Sequence, residues 1–501
     1  MPAESLRAHR ISGVIALILL GLGSISSTAA ALQSSPLAGH PEISVESGRL
    51  AGVEEGGVQS FRGIPYAAPP VGELRWRDPR PALAWQGLRD ASGFGPVCPQ
   101  AVRTSGGAGI PGEQSEDCLT LNVWRPKQEG RLPVMVWVHG GGHRRGSGSA
   151  RLYDGSALAG RGVVVVTFNY RLGLLGSFAH PALSGEHERA GGNWGLADQI
   201  AALRWVAANI ERFGGDPDRV TVFGQSAGAG SILAILATPS SEGLFSAAIL
   251  ASTAASALEL DPAVKREEAR DVVALLGLES PNAADLRAVA TDQWVWATSQ
   301  VPGLTMGPFA DGDLLPLSPR QALLTGRVHD VPLLVGSTIN DGSVLSEFGV
   351  EMASLPPGTL AAIVNLSVSD ESYRPTLALF TAPAHFIAAN TAGGSPSFLY
   401  QIDRAAASHG YDVPFSFDNL DRLGLPGDRI TPSDRQFARM MADCWVQFAR
   451  VHRPDCPGLP GWPPIDEGRA MILDNESYLK NAPDPALLAL ARDIVMEESR
   501  P

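Results

Sequence analysis

Short runs of β-branched and aromatic residues alternate with longer helix-patterned stretches along this chain, and that alternation constrains its fold more than any single motif. Buried strands are expected at Leu132–Val138, Val163–Asn169, Arg219–Phe223, Ala247–Ala251, Val331–Gly336, Phe398–Ile402 and Ala470–Leu473. Between them lie helical patterns at Gly195–Phe213, Ala227–Ala237, Ala263–Leu276, Ser433–Val451 and Pro485–Glu497. The fourth opens on Thr431, Pro432 and Asp434, a capping-box-like start with proline at the first helical position. Continuous apolar strands alternating with helices imply an α/β fold, a mostly parallel central sheet with helices on both faces. Residues 42–130 read instead as an antiparallel meander. A length of 501 residues would ordinarily suggest about three domains. No repeat or low-complexity linker divides the chain, so residues 32–501 are expected to form one large domain.

Ahead of that domain, residues 1–31 read as an export signal. Arg7 and Arg10 precede the apolar run Ile11 to Gly23, and Ala29–Ala31 offer small residues for cleavage. The run falls short of the ~20 residues that span a bilayer. No later stretch reaches that length, so a secreted or periplasmic protein without a stable membrane anchor is expected. A net charge of −13 argues against a nucleic-acid partner. Four cysteines in an exported chain suggest disulfides. Sequence-local pairing, Cys98 with Cys118 and Cys444 with Cys456, is the expected connectivity, with a free, buried Cys444 as the alternative for the second pair.

Gly224-Gln225-Ser226-Ala227-Gly228 follows one expected strand directly and opens a helix. With 55 glycines, such a match means little alone; strand, sharp turn and helix together are what a nucleophile elbow needs. The alternative is an N-capping serine in a glycine-rich turn. A serine nucleophile needs a base, and in this architecture the base comes later in the chain. His329, His385, His409 and His452 qualify by order. Functional groups of such sheets gather beyond the carboxyl ends of strands, and only His409 follows a strand. The same filter selects Asp341 over Asp330 as the acid. Asp311 and Asp313 sit in an earlier turn, where local hydrogen bonding is the simpler role. His139-Gly140-Gly141-Gly142 follows the strand Leu132–Val138 and could aim backbone N–H groups at an oxyanion. A flexible loop is the other reading.

With these residues in place, the chain resembles the type-B carboxylesterase/lipase family of α/β-hydrolases, which includes the cholinesterases. The resemblance rests on Phe61–Ala67, Glu116–Leu119, His139–Gly142, Asn169-Tyr170-Arg171, Asn193–Gln199, Phe213–Pro217 and the elbow, in family order over most of residues 45–475. It implies an α/β-hydrolase fold and a serine carboxylesterase acting on a small-molecule ester. Ser226 would be nucleophile, His409 base and Asp341 acid. The N–H groups of Gly141, Gly142 and Ala227 would form the oxyanion hole, and Cys98–Cys118 would match the family's first disulfide.

Three positions depart from the family pattern. Gln225 stands where Glu is usual, Asp341 where Glu is usual, and Ala251-Ser252-Thr253 where Gln-Ser-Gly is commoner. Ser252 is read either as support for the acid or as a plain strand-end serine. Gln225 and His143 are expected near the substrate. The stretch Pro99–Asp117 has no aromatic residue to stack on a quaternary ammonium, and Gln225 is neutral, so a choline-like substrate is disfavoured. Arg144 and Arg145 could select acidic esters or be solvated surface. H-E-x-x-H, C-x-x-C and Walker patterns are absent, so neither metal nor cofactor is expected. A non-catalytic adhesion or scaffold protein on the same fold is the rival from another class, and a lipase the rival among enzymes.

Overall fold

A computed structural model describes residues 39–101, 112–184, 191–301, 304–347, 373–391, 393–404, 407–423, 429–482, 485, 486 and 489. The expected leader lies outside them, as does nearly all of the expected helix Pro485–Glu497. The chain divides into Met1–Gly39 and His40–Pro501; the sheet, its helices and the site all belong to the second unit.

The first strands are short: β1 (Glu42–Val45), β2 (Gly48–Ala51), β3 (Val53–Glu55), β4 (Val58–Pro65) and β5 (Leu88–Asp90). They are followed by β6 (Thr120–Pro126), β7 (Leu132–Val138), β8 (Val164–Phe168), β9 (Gly215–Gln225) and β10 (Ala247–Ala251). The last are β11 (Leu333–Thr338), β12 (Ser397–Ile402), β13 (Arg469–Leu473) and β14 (Tyr478–Asn481). Eleven of them form one sheet in the order β14-β13-β12-β11-β10-β9-β7-β8-β6-β4-β3, parallel from β13 to β8 and antiparallel at both margins.

The expected single meander over 42–130 needs correction. β1, β2 and β5 form a separate three-stranded sheet, while β3, β4 and β6 join the main one. β5 pairs with β2 in parallel, Leu50 opposite Arg89. Only a long connection can return a strand in that direction, and residues 52–87 supply it.

Both faces of the parallel core are covered, which explains strands that read as unbroken apolar runs. Every residue of β7 is buried. Val134, Val136 and Val138 pack with Leu196, Ile200 and Leu203 of α1 (Trp194–Asn209) and with Ile232 and Leu233 of α2 (Ala227–Leu236). Met135 and Trp137, on the other face, join a second cluster that includes Trp445. Helix α3 (Pro262–Leu275) is capped by Asp261, whose side chain accepts from the Ala263 N–H. Helix α4 (Asp412–Ser416) is a short turn. Helix α5 (Pro432–Val451) contributes Phe437, Met441 and Trp445 to the second cluster. It starts with the expected capping box, Thr431 and Asp434 each bonding the other's backbone N–H.

Both sequence-local disulfides are formed, Cys98–Cys118 and Cys444–Cys456, each with Cα atoms 5.0 Å apart. A free Cys444 is therefore excluded.

Candidate active site

Ser226 joins β9 to α2 at φ 58°, ψ −127°, a conformation that L-residues rarely adopt and that surrounding structure must impose. Two glycines make that possible. A Cβ at Gly224 would stand 2.8 Å from the Val138 carbonyl oxygen, and one at Gly228 would collide with the same atom. The turn is thereby pressed against the carboxyl end of β7. The Ser226 N–H donates to Ala251 O at 2.9 Å, fixing the elbow to β10.

The acid and base expected from strand ends do meet. Asp341 lies just beyond β11 and is fully buried. Its Oδ1 is 2.8 Å from Nδ1 of His409, which lies beyond β12. Its Oδ2 accepts from Ser252 Oγ at 2.9 Å and from the Thr338 N–H at 2.7 Å. Ser252 thus supports the carboxylate, and it does so from a left-handed backbone conformation, φ 53°. The loop carrying His409 is anchored by a parallel bridge between Asn340 and Ser408 and by the His409 N–H donating to Ser343 Oγ at 3.2 Å. Phe380 closes one side of the imidazole at 5.0 Å. The other ring nitrogen, Nε2, lies 3.1 Å from the amide nitrogen of Gln225, the residue before Ser226. Among the described residues no hydrogen bond links Ser226 Oγ to the imidazole. The other three candidate histidines have different places: His329 contacts Ser241 and Thr238 O, His385 lies buried in the helix Ala382–Ala389, and His452 caps α5. Asp311 Oδ1 accepts from Asp313 N–H and Leu315 N–H, the local role expected of it.

The glycine run after β7 lies against this elbow. A Cβ at Gly140 would be 2.6 Å from Gln225 O and 3.2 Å from Ser226 Cβ, so side-chain-free backbone passes beside the serine. Gly141 and Gly142 follow at φ 113° and 63°. Ala227 begins α2, where the first N–H groups have no intrahelical partner and the dipole is positive. His139 behind the loop is stacked on Tyr170 at 4.3 Å, and Tyr170 Oη donates to His139 O at 2.7 Å. Burial lowers the His139 pKa to about 4, so it is neutral in ordinary buffers. Arg171, next to Tyr170, forms a buried ion pair with Asp198 at 2.7 Å, which explains the spacing of those two motifs.

Gln225 and His143, expected near the substrate, both border the site, but their polar atoms engage the protein itself. His143 Nε2 is 2.9 Å from Ser231 Oγ of α2. Arg144 is also committed: its guanidinium donates to the carbonyls of Thr298, at 2.6 Å, and Leu304. Each terminal nitrogen of Arg144 thus holds a backbone oxygen, which favours a structural role over selection of acidic esters. Sequence reasoning missed Asp412, a buried carboxyl three residues beyond His409. A charged residue between Tyr411 and Val413-Pro414-Phe415 was the available signal. No group of His, Cys, Asp and Glu suited to a metal ion occurs among the described residues.

A mostly parallel sheet, helices on both faces and a strained serine elbow with an Asp–His pair beyond later strands define an α/β-hydrolase. A model of the carboxylesterase family matches residues 39–378. The chain is 34% identical to the para-nitrobenzyl esterase of Bacillus subtilis, over 89% of this chain and 97% of that one. It is 38% identical to the fumonisin B1 esterase of Sphingopyxis macrogoltabida, covering 83% of each. A solved para-nitrobenzyl esterase superposes with a TM-score of 0.81 at 34% identity, over 90% of this chain and 99% of that one. The chain belongs to the carboxylesterase family and is a carboxylic ester hydrolase.

Proposed function

We propose that Ser226 carries an acyl-enzyme in the hydrolysis of small carboxylic esters, with His409 as base and Asp341 as acid. The observation that carries this reading is the 2.8 Å Asp341–His409 hydrogen bond beside the strained serine elbow. Asp341 holds the Nδ1–H tautomer and stabilises the imidazolium. Nε2 is thereby left with a lone pair. It accepts the Ser226 proton as Oγ attacks the ester carbonyl, and the Gln225 amide gives way at that moment. The N–H groups of Gly141, Gly142 and Ala227 receive the developing oxyanion, each donor of this kind typically being worth about 10²–10³ in turnover. His409 then protonates the departing alcohol, and water repeats the sequence on the acyl group.

Relatives are named for para-nitrobenzyl esters, fumonisin B1 and, in the human protein 33% identical to this chain, cocaine. What those names share is an ester bond in a small molecule, and that is the substrate class assigned here. Two disulfides support an oxidising compartment, and together with the export-signal reading of residues 1–31 they support a secreted or periplasmic protein. The test is burst release of p-nitrophenol from p-nitrophenyl butyrate. Wild-type protein should show a burst near one equivalent, and Ser226→Ala should lose the burst and at least about 10⁴-fold in kcat. A burst that survives in Ser226→Ala refutes the assignment. A jump in rate above the ester's solubility limit would indicate a lipase.

A further inference from the structure

A titratable side chain immediately after the donor loop takes no part in the reaction above. His143 follows Gly142 and has φ 54°, a left-handed conformation that a histidine keeps only when its surroundings impose it. Its carbonyl accepts from Gly173 N–H at 2.7 Å. Its ring lies edge-on to Tyr170 at 6.4 Å, and a Cβ at Gly307 would come within 2.8 Å of its Nδ1. Its Nε2 meets Ser231 Oγ at 2.9 Å. That same oxygen accepts from Gln199 Nε2 of α1 at 3.0 Å, so the hydroxyl's own proton is available for the imidazole. Burial lowers the His143 pKa to about 4; His139 and Lys265 act in the same direction, against the carbonyls of Ala227 and Met306. The ring is therefore neutral and can accept.

Ser231 lies one helical turn beyond Ala227 on α2. The imidazole thus joins the backbone that carries Gly141 and Gly142 to the helix that carries the third donor. The two donor sets come from neighbouring strand ends, β7 and β9: Val138 pairs with Gly224 and Gly140 packs on Gln225, but Gly141 and Gly142 lie beyond that last pairing, where side-chain contacts set their distance from α2. Oxyanion stabilisation depends on that spacing, because the donors must sit about 2.7–3.1 Å from an oxygen that exists only in the transition state.

We propose that His143 is a positioning residue: through Ser231 it locks the Gly141–Gly142 loop against α2 and so sets the geometry of the oxyanion hole. The proposal rests on the reading of Gly141, Gly142 and Ala227 as oxyanion donors. His143→Phe keeps a ring but removes the acceptor, His143→Gln restores an acceptor, and Ser231→Ala removes the hydroxyl that His143 shares with Gln199. Each is assayed for kcat and KM on p-nitrophenyl butyrate and for inhibition by an alkyl trifluoromethyl ketone, whose adduct with the serine carries the oxyanion.

His143→Phe should lower kcat about 10–100-fold, with KM within twofold and the ketone's Ki raised by a similar factor. His143→Gln should recover most of that, and Ser231→Ala should add little in the His143→Phe background. If His143→Phe fails to fold, Ser231→Ala alone carries the test, with an expected kcat loss near tenfold. A kcat within threefold of wild type in Ser231→Ala and in any folded His143→Phe, or a loss that falls on KM, overturns the proposal. A burst surviving in Ser226→Ala would instead overturn the underlying site assignment, whatever the His143 variants do.

Discussion

Asp412 should make the protein lose stability as pH rises, and Asp412→Asn should remove that loss. The carboxyl opens α4, is 2% exposed, and its Oδ1 has no hydrogen-bond partner among the described residues. Tyr400 Oη and Trp137 Nε1 are buried and likewise unpartnered. Burial first, and the charge of Asp341 second, push the Asp412 pKa up to about 7, against the His409 imidazole and the N–H groups of Asp412 and Val413. An unfolded aspartate titrates near 3.9, so the shift is about three units, or about 4 kcal/mol. A folded-state pKa above the unfolded one means that the folded protein binds the extra proton. Stability from this group is therefore complete below about pH 4 and is lost as pH rises to about 7. Roughly 2.5 kcal/mol of that loss falls between pH 5 and pH 8. Asparagine has the same shape and no charge, so urea unfolding of variant and wild type should show a gap that moves toward the variant by that amount across the range. A gap constant to within about 0.5 kcal/mol from pH 5 to pH 8 would mean that Asp412 ionises normally, and the burial argument would fail.

Three further outcomes follow from the same geometry. Ser252→Ala removes one of the donors to Asp341 Oδ2 and should cut kcat on p-nitrophenyl butyrate about 10-fold, as loss of a hydrogen bond to a charged group does, with little change in KM. Gln225→Glu places a carboxylate beside His409 Nε2, which favours imidazolium. The acidic limb of the kcat/KM profile should move to higher pH by about one unit or more, and an unmoved limb would deny that contact in solution. The double substitution Cys444→Ala with Cys456→Ala opens a short loop and should destabilise by roughly 3 kcal/mol on the chain-entropy estimate, read as a lower midpoint in guanidinium with activity retained in the native range.

The parallel core was legible because strands covered on both faces are apolar throughout, and β7 and β10 lie where the pattern placed them. The meeting of Asp341 with His409 was legible for a topological reason: parallel strands end on one edge, so a residue's place after a strand already implies where it stands. What local pattern does not carry is pairing across distance. The division of residues 42–130 into two sheets depends on β5 reaching β2, and nothing within either strand announces it. Partner choice by long side chains is hidden in the same way. Arg144 reads as a surface charge until the carbonyls of Thr298 and Leu304 are seen around it. Ser231 reads as an ordinary helix residue until His143 is seen across from it.

The polar chain at the site has to cross the sheet, and the strand order says how far. β9, β10, β11 and β12 are neighbours, with Ala251 level with Gln225 on one side and Gly336 on the other. At ~4.8 Å per strand, the exits of β9 and β12 are about 14 Å apart. His409 leaves from β12 yet stands 3.1 Å from Gln225 at the end of β9, so its loop must lean back over two strand ends. Ser252, directly after β10, takes a positive φ and uses its hydroxyl to hold Asp341, the residue that in turn holds His409. Ser252 thereby anchors the carboxylate that holds the crossing loop, which gives it a reason to keep a hydroxyl at a backbone angle that glycine would tolerate more readily. Ser252→Gly should accordingly impair turnover as Ser252→Ala does, because relief of the backbone strain cannot replace the lost bond to Asp341.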